Sequence, residues 1–322
     1  MRIVVLDGYT LNPGDLDWSG LEALGEVTVY DRTPAHLIIE RSLGADVLLT
    51  NKTPLREETL TKLPGLRYIG VLATGYDVVD VKAADALGVT VTNVPNYGTA
   101  SVAQFVFALV LELANRVGLH NDSVHRGEWS ASPDWCYWRS PLTELAGKTL
   151  GIVGFGRIGM RTAEIGAAFG MKVKAYTPRV PKDAIGVPVQ FSSLEDVLRS
   201  SDVVSLHCPL TEETREMINK ETLGIMKRTA FLVNTSRGAL IREADLADAL
   251  REGTLAGAAL DVLSKEPPDS SPLLGLPNCI ITPHIAWASQ EARRRLLDQA
   301  VDNVKRYLDG QPVNVVRPRP SN

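Results

Sequence analysis

The sequence predicts an α/β protein built from two doubly wound parallel sheets, and three observations carry that expectation. The chain has 322 residues, more than one ordinary core accommodates and enough for two domains. Short apolar runs alternate with amphipathic stretches, the pattern of parallel strands joined by helical crossovers. The alternation starts twice. One series opens near residue 3 and breaks at the proline and glycine of VPNYGT (94–99), and a second opens at residue 149.

In the first series, strands are expected at 3–6, 27–30, 47–50, 68–72 and 90–93. A long helix over 100–116 follows, with apolar residues dense enough for a core helix joining two domains. Residues 125–148 read as irregular and hold Trp129, Trp135 and Trp138, so this loop is either packed under something or lines a pocket or a contact between copies. In the second series, strands are expected at 149–153, 173–176, 203–206, 230–234, 257–261 and 279–282, six in a doubly wound order. A last helix, 289–308, is expected to return to the first domain.

Composition excludes several classes. A net charge of −4 gives no general affinity for nucleic acid or an anionic membrane. Arg293, Arg294 and Arg295 cluster, but acids flank them and a solvated helix face is expected. The N-terminal apolar run 3–6 ends at Asp7, too short for a signal peptide. FVFALVLELA is about half of a membrane span and carries Glu112. Cys136, Cys208 and Cys279 are odd in number and far apart, which fits a reducing, cytoplasmic location and no metal site. His207 beside Cys208 looks like a ligand pair, but no further ligands are spaced for it, and a core strand end is the expected reading.

TLGIVGFGRIGM places Gly154, Gly156 and Gly159 in G-x-G-x-x-G spacing. That spacing alone is a weak signal. Here a strand precedes it, a helix follows and a second strand comes next, the context of a dinucleotide-binding loop in a Rossmann domain. Gly154 permits the turn, Gly156 lets the backbone approach a pyrophosphate, and Gly159 lets helix and strand pack closely. Phe155 and the amides around Arg157 and Ile158 complete the loop at a helix N-terminus.

Three segments then end at carboxyl ends of expected strands, where open α/β sheets place ligands. VNTSRGALI carries Arg237, ALDVLSKEPP carries Asp261 and Glu266, and ITPHIAWAS carries His284. Taken singly, a surface arginine, a loop glutamate and a structural histidine would each be unremarkable.

Together, GFGRIG, HCPLT, NTSRG, DVLSKEPP and TPHIAWAS resemble the D-specific 2-hydroxyacid dehydrogenase family in order and spacing, over nearly the whole chain. The resemblance implies a flavodoxin-like substrate domain (1–98 plus 288–322) and a Rossmann cofactor domain (99–287), with a cleft between them. It implies Arg237, Glu266 and His284 as the catalytic trio. His284 would exchange a proton with the C2 oxygen, since imidazole is the side chain of the three that titrates near neutrality. Glu266 would orient the ring and favour its charged form. Arg237 would bind the substrate carboxylate and polarise its carbonyl. By the same resemblance Leu72, Ala73, Thr74 and Gly75 meet the substrate, with Thr74 also on the nicotinamide side. Cys208, Pro209, Thr235 and Ser236 line the cofactor, Thr214 closes over it, and Asp261 contacts the nicotinamide carboxamide.

Where an acidic residue commonly ends the second strand of an NAD site, the sequence reads Tyr176-Thr177-Pro178-Arg179. Thr177 and Arg179 would receive a 2′-phosphate, so NADP(H) is expected and NAD(H) is possible. The alternative is an Arg179 facing solvent and an enzyme that takes both. Trp287, the SPDWCYW loop and the opening VLDGYTLNPGDLDW resemble the glycerate dehydrogenase and hydroxypyruvate reductase branch. That branch implies hydroxypyruvate and glyoxylate as substrates and a homodimer formed through the cofactor domain. A dehydrogenase for phosphite, formate or a larger 2-oxo acid, and a nucleotide-sensing corepressor, remain open alternatives.

Overall fold

The computed structural model describes residues 1–180 and 186–318, and the chain divides into two compact units, Met1–Gly98 with Ala288–Asn322 and Thr99–Trp287. In chain order, unit 1 begins β1 (Arg2–Val5), α1 (Ser19–Glu22), β2 (Glu26–Val29), α2 (Ile38–Ser42), β3 (Val47–Thr50), α3 (Glu57–Leu60), β4 (Tyr68–Val71), α4 (Val81–Ala86) and β5 (Thr90–Thr92). Unit 2 follows with α5 (Thr99–Asn115), α6 (Val117–His125), β6 (Thr149–Val153), α7 (Arg157–Ala168), β7 (Lys172–Tyr176), β8 (Val189–Phe191), α8 (Leu194–Ser200), β9 (Val203–Leu206), α9 (Lys220–Gly224), β10 (Phe231–Asn234), α10 (Glu243–Arg251), β11 (Gly257–Leu260) and β12 (Cys279–Ile281). The chain then re-enters unit 1 with α11 (Gln290–Leu308).

Both sheets are parallel. Unit 1 has the order β2-β1-β3-β4-β5, the flavodoxin-like winding. Its central strands β3 and β4 are buried along their whole length, as expected for apolar runs covered on both faces. Unit 2 has the order β12-β11-β10-β9-β6-β7-β8, with the strand order reversing between β6 and β9. The period of two along each strand splits its core. In β10, Leu232 packs with Val153, Leu206 and Leu250 on one face, and Val233 packs with Val110, Ile152 and Ala163 on the other.

The two-sheet α/β architecture expected from the sequence is therefore present, with two corrections. Among the described residues unit 2 has seven strands, not six: β8 is a three-residue edge strand paired with β7. It is too short for periodicity to register, and Pro188 precedes it. The arginine cluster is not uniformly solvated. Arg293 is 8% exposed. Its guanidinium pairs with both carboxylate oxygens of Asp15 at 2.7 and 2.6 Å and donates to the Leu11 and Ala288 carbonyls. A bidentate pair with all three guanidinium nitrogens bonded overrides the surface preference of a lone charge.

The long helix α5 lies wholly in unit 2, where Val106, Phe107, Val110 and Leu113 are buried in the core. Among the described residues no single helix is long and apolar enough to cross a membrane, and α5 with α6 passes that test only as a pair bent by 58°.

Candidate active site

The glycine loop sits beside the point where the order of the unit 2 sheet reverses. Gly154 has φ +94°, and a Cβ there would lie 2.4 Å from the Cys208 amide nitrogen, so the turn after β6 is pressed against the chain leaving β9. A Cβ at Gly159 would lie 2.4 Å from the Gly154 carbonyl oxygen. At Gly156 nothing lies within 4 Å, and the residue is exposed. Two glycines thus tighten the turn while the third leaves a bare, open backbone at the N-terminus of α7. No side chain caps that helix end. Open space over first-turn amides, backed by the helix dipole, fits a pyrophosphate.

The remaining expected cofactor residues divide by what their polar groups already do. Thr235 has a buried hydroxyl with no hydrogen-bond partner within the protein, which fits a bound ligand supplying one. Ser236 instead donates its hydroxyl to the Cys208 carbonyl at 2.7 Å and bolts two strand-end loops together. The Cys208 side chain is buried beside Met217, and burial pushes its thiol up to about 11. Thr214 accepts the Thr211 amide and donates to the Pro209 carbonyl, both at 2.7 Å, so its hydroxyl braces its own turn. Phe155 turns its ring into the core, edge-on to Phe191 at 5.2 Å, which leaves only its backbone to face the loop. Past β7, Thr177 donates to the Arg179 carbonyl at 3.2 Å and Arg179 is exposed. His207 is uncharged at neutral pH, because burial lowers it to about 4, and its Nε2 pairs with Ser205. Among the described residues no group of three or more His, Cys, Asp or Glu side chains is arranged to hold a metal.

The carboxyl ends of β10, β11 and β12 carry the catalytic candidates. His284 Nδ1 lies 2.6 Å from Glu266 Oε2, with 29% and 34% of the two side chains exposed. The other Glu266 oxygen accepts the Leu263 amide at 2.9 Å, so the carboxylate is fixed from both sides. His284 has φ +56°, a left-handed conformation, and its loop is held there by Asp261. That buried carboxylate accepts the Thr282 hydroxyl at 2.6 Å and the Ile285 and Ala286 amides at 2.9 and 2.8 Å. Burial raises its pKa, opposed by these bonds. Asp261, expected to meet the cofactor, thus spends both oxygens anchoring the histidine loop. Trp287 adds a brace, its indole donating to the His284 carbonyl at 2.9 Å.

Arg237 is organised by a residue that the sequence reading did not single out. Buried Asn234 accepts the Ser236 amide at 3.0 Å and donates to the Arg237 carbonyl at 2.8 Å, closing the NTSRG turn. The guanidinium donates to the Ser236 carbonyl at 2.8 Å. Gly238, also passed over, allows the Arg237 loop and the Glu266 loop to touch: a Cβ there would lie 1.9 Å from the Leu263 carbonyl carbon.

In unit 1, Ala73, Thr74 and Gly75 form the turn beyond β4. The Thr74 hydroxyl donates to the Val94 carbonyl at 3.0 Å, and Asn93 donates to the Thr74 carbonyl at 2.7 Å. Leu72 departs from expectation. Its amide donates to Thr50, its carbonyl accepts from Asn51, and its side chain is fully buried, so it supports the turn and its amide is already engaged. The neighbouring turn 51–53 rests on Asp7, whose buried carboxylate accepts the Asn51, Lys52 and Thr53 amides and the Thr53 hydroxyl at 2.6–3.0 Å.

A model of the D-isomer specific 2-hydroxyacid dehydrogenase NAD-binding domain matches residues 107–286. The chain is 53% identical over 320 residues to a hydroxypyruvate reductase of Blautia hydrogenotrophica, covering 98% of this chain and 99% of that protein. It is 46% identical over 282 residues to a glycerate dehydrogenase of Methylorubrum extorquens, covering 87% and 88%. Among solved structures, an NADPH-dependent glyoxylate/hydroxypyruvate reductase from Sinorhizobium meliloti, in complex with NADP and malonate, superposes with a TM-score of 0.83 at 29% identity, covering 99% of each chain. The chain therefore belongs to the D-isomer specific 2-hydroxyacid dehydrogenase family of oxidoreductases, whose cofactor is a nicotinamide dinucleotide.

Proposed function

We propose that this enzyme reduces short 2-oxo acids, hydroxypyruvate and glyoxylate, to D-glycerate and glycolate, and that it prefers NADPH to NADH. The observation carrying the chemistry is the 2.6 Å pair of His284 Nδ1 and Glu266 Oε2 on strand-end loops of the sheet that also presents Arg237. The substrate class is supported by the hydroxypyruvate reductase that is 53% identical over 98% of this chain.

The reduced nicotinamide supplies the hydride that arrives at the substrate C2. The protein must supply the proton and hold the acid. With Nδ1 engaged by Glu266, the Nε2 of His284 is the nitrogen that gives a proton to the C2 oxygen, and takes it back in the reverse direction. Glu266 keeps the ring in that orientation. Arg237 binds carboxylate and carbonyl oxygens with its planar fork and stabilises charge developing on the latter. Ala73, Thr74 and Gly75 belong to the same proposal as binders of the substrate carboxylate.

The cofactor preference rests on the residues after β7. No carboxylate stands among residues 177–180 to repel a 2′-phosphate, and exposed Arg179 offers a cation. Steady-state assays of hydroxypyruvate, glyoxylate, pyruvate and phenylpyruvate, each with NADH and NADPH, test both parts. The two short polar acids with NADPH should give the highest kcat/KM. Arg179→Ala should lower kcat/KM for NADPH about tenfold, the size of one charge-assisted contact, and leave NADH nearly unchanged. Equal losses with both cofactors would remove Arg179 from the phosphate site, and a preference for phenylpyruvate would overturn the substrate assignment.

We also infer a homodimer formed through unit 2. Trp135 is 88% exposed and Trp138 67%, while Leu142, Val117 and Val124 are exposed nearby in sequence. The segment is nevertheless internally bonded, with Trp129 donating to the Trp135 carbonyl and Ser123 paired with Tyr137. Ordered, exposed aromatics on this scale mark a contact surface. Light scattering should give twice the 35.0 kDa chain mass, and Trp135→Glu with Trp138→Glu should halve it. A wild-type protein that scatters as a monomer would sink the inference.

A further inference from the structure

We propose that Glu243 is a positioning residue for the His284–Glu266 pair, acting as the tie between the Arg237 loop and the Glu266 loop. It rests on the proposed reading of His284 as proton donor. Glu243 opens α10, six residues after Arg237, and is half-buried. Its two carboxylate oxygens reach across to the segment that carries Glu266. Oε1 accepts the Ser264 amide at 2.7 Å, and Oε2 accepts the Ser271 hydroxyl at 2.6 Å. Ser264 follows Leu263, the residue whose amide holds Glu266 Oε1. The same stretch, Leu263 and Ser264, lies against Gly238 from the other side.

The Glu266 loop is thus gripped at both ends by one carboxylate, at Ser264 before the functional residue and at Ser271 beyond it. Six residues separate Ser264 from Ser271, and among them Lys265 pairs only with Asp269 of the same loop in the contacts described. Without Glu243, this exposed stretch would be tethered chiefly through its ends and through Glu266 itself. The Cys279 thiol at the start of β12 is pushed up to about 12, by burial first and by the Glu243 charge second. The carboxylate therefore ties the segment that follows Arg237 to the segment that carries Glu266. A contact of this kind acts by holding reacting groups within a fraction of an ångström, and its removal costs rate while leaving binding in place.

The test combines kinetics with a spectroscopic readout that needs no turnover. In histidine-labelled protein, the Nδ1 proton shared with Glu266 should give a downfield resonance, identified by its loss in Glu266→Ala. Glu243→Ala should shift or broaden that resonance and lower kcat about tenfold, with KM for NADPH unchanged. Glu243→Gln, which can still accept the Ser264 amide and donate to Ser271, should restore both. Should Glu243→Ala fail to fold, Ser271→Ala breaks one of the two ties on an exposed segment and should give the same two changes at smaller size. An unmoved resonance, or a moved resonance with an unchanged kcat, overturns the proposal. If the wild-type protein reduces no 2-oxo acid, the functional reading falls and the resonance alone decides the positioning role.

Discussion

His284→Ala is expected to lower kcat for hydroxypyruvate reduction by about 10²–10⁴-fold, the usual contribution of a placed general acid. KM should move little, because Arg237 and the 73–75 turn, not the imidazole, are assigned to the carboxylate. NADPH affinity, read from nucleotide fluorescence, should also stay within a few-fold, since the glycine loop proposed for the pyrophosphate is untouched. Stopped-flow and steady-state rates across pH 5–9 check the assignment. An unchanged kcat would remove His284 from proton transfer. A large KM effect with an intact kcat would make it a binding group.

Gly238→Ala is expected to be nearly as damaging, though the added group is a single methyl. Its Cβ would lie 1.9 Å from the Leu263 carbon, 2.1 Å from its oxygen and 2.3 Å from the Ser264 nitrogen. All three are backbone atoms, so no side-chain rotation relieves the clash. The Glu266 loop must move by an ångström or more, and it takes the Glu266 carboxylate with it. A misplacement of that size costs about 10²-fold in rate. Overpacking should also cost about 1–3 kcal/mol of stability, a drop of several degrees in Tm. Gly224→Ala is the matched control, because nothing lies within 4 Å of a Cβ there. A Gly238→Ala enzyme with wild-type kcat would show that the two loops are not mechanically coupled.

Much of the fold was legible because its signals are local. Apolar runs bounded by turn residues located eleven of the twelve strands among the described residues to within a residue or so, and the glycine spacing located the turn between β6 and α7. The strand β8 escaped because three residues on an edge carry no period. The site was legible as far as residue types with rare chemistry stand at strand ends: Arg237, Glu266 and His284 were visible there. Their supports were not, because each support acts on a partner distant in sequence. Asp7 holds amides 44–46 residues away, and Glu243 holds groups 21 and 28 residues away. Periodicity reports which face a residue occupies and says nothing about which remote amide that face meets. Arg293 was misjudged for the same reason, since Asp15 lies 278 residues earlier.

Unit 1 is assembled from two separated stretches, and this has a consequence for biosynthesis. The helix α11 packs on the sheet at β4, with Leu296, Leu297, Ala300 and Val304 buried, the Tyr307 ring tilted against Tyr68 at 4.8 Å, and Arg293 and Asn303 bonded to Leu11 and Asn93. None of the α11 groups exists while the ribosome is still translating 99–287. The first 98 residues must therefore emerge, and wait, with an apolar sheet face uncovered, whereas unit 2 is contiguous and can close as soon as it is made. The nascent chain is most exposed to aggregation during that interval, and factors that shield apolar surface should matter to its yield more than to the stability of the finished enzyme.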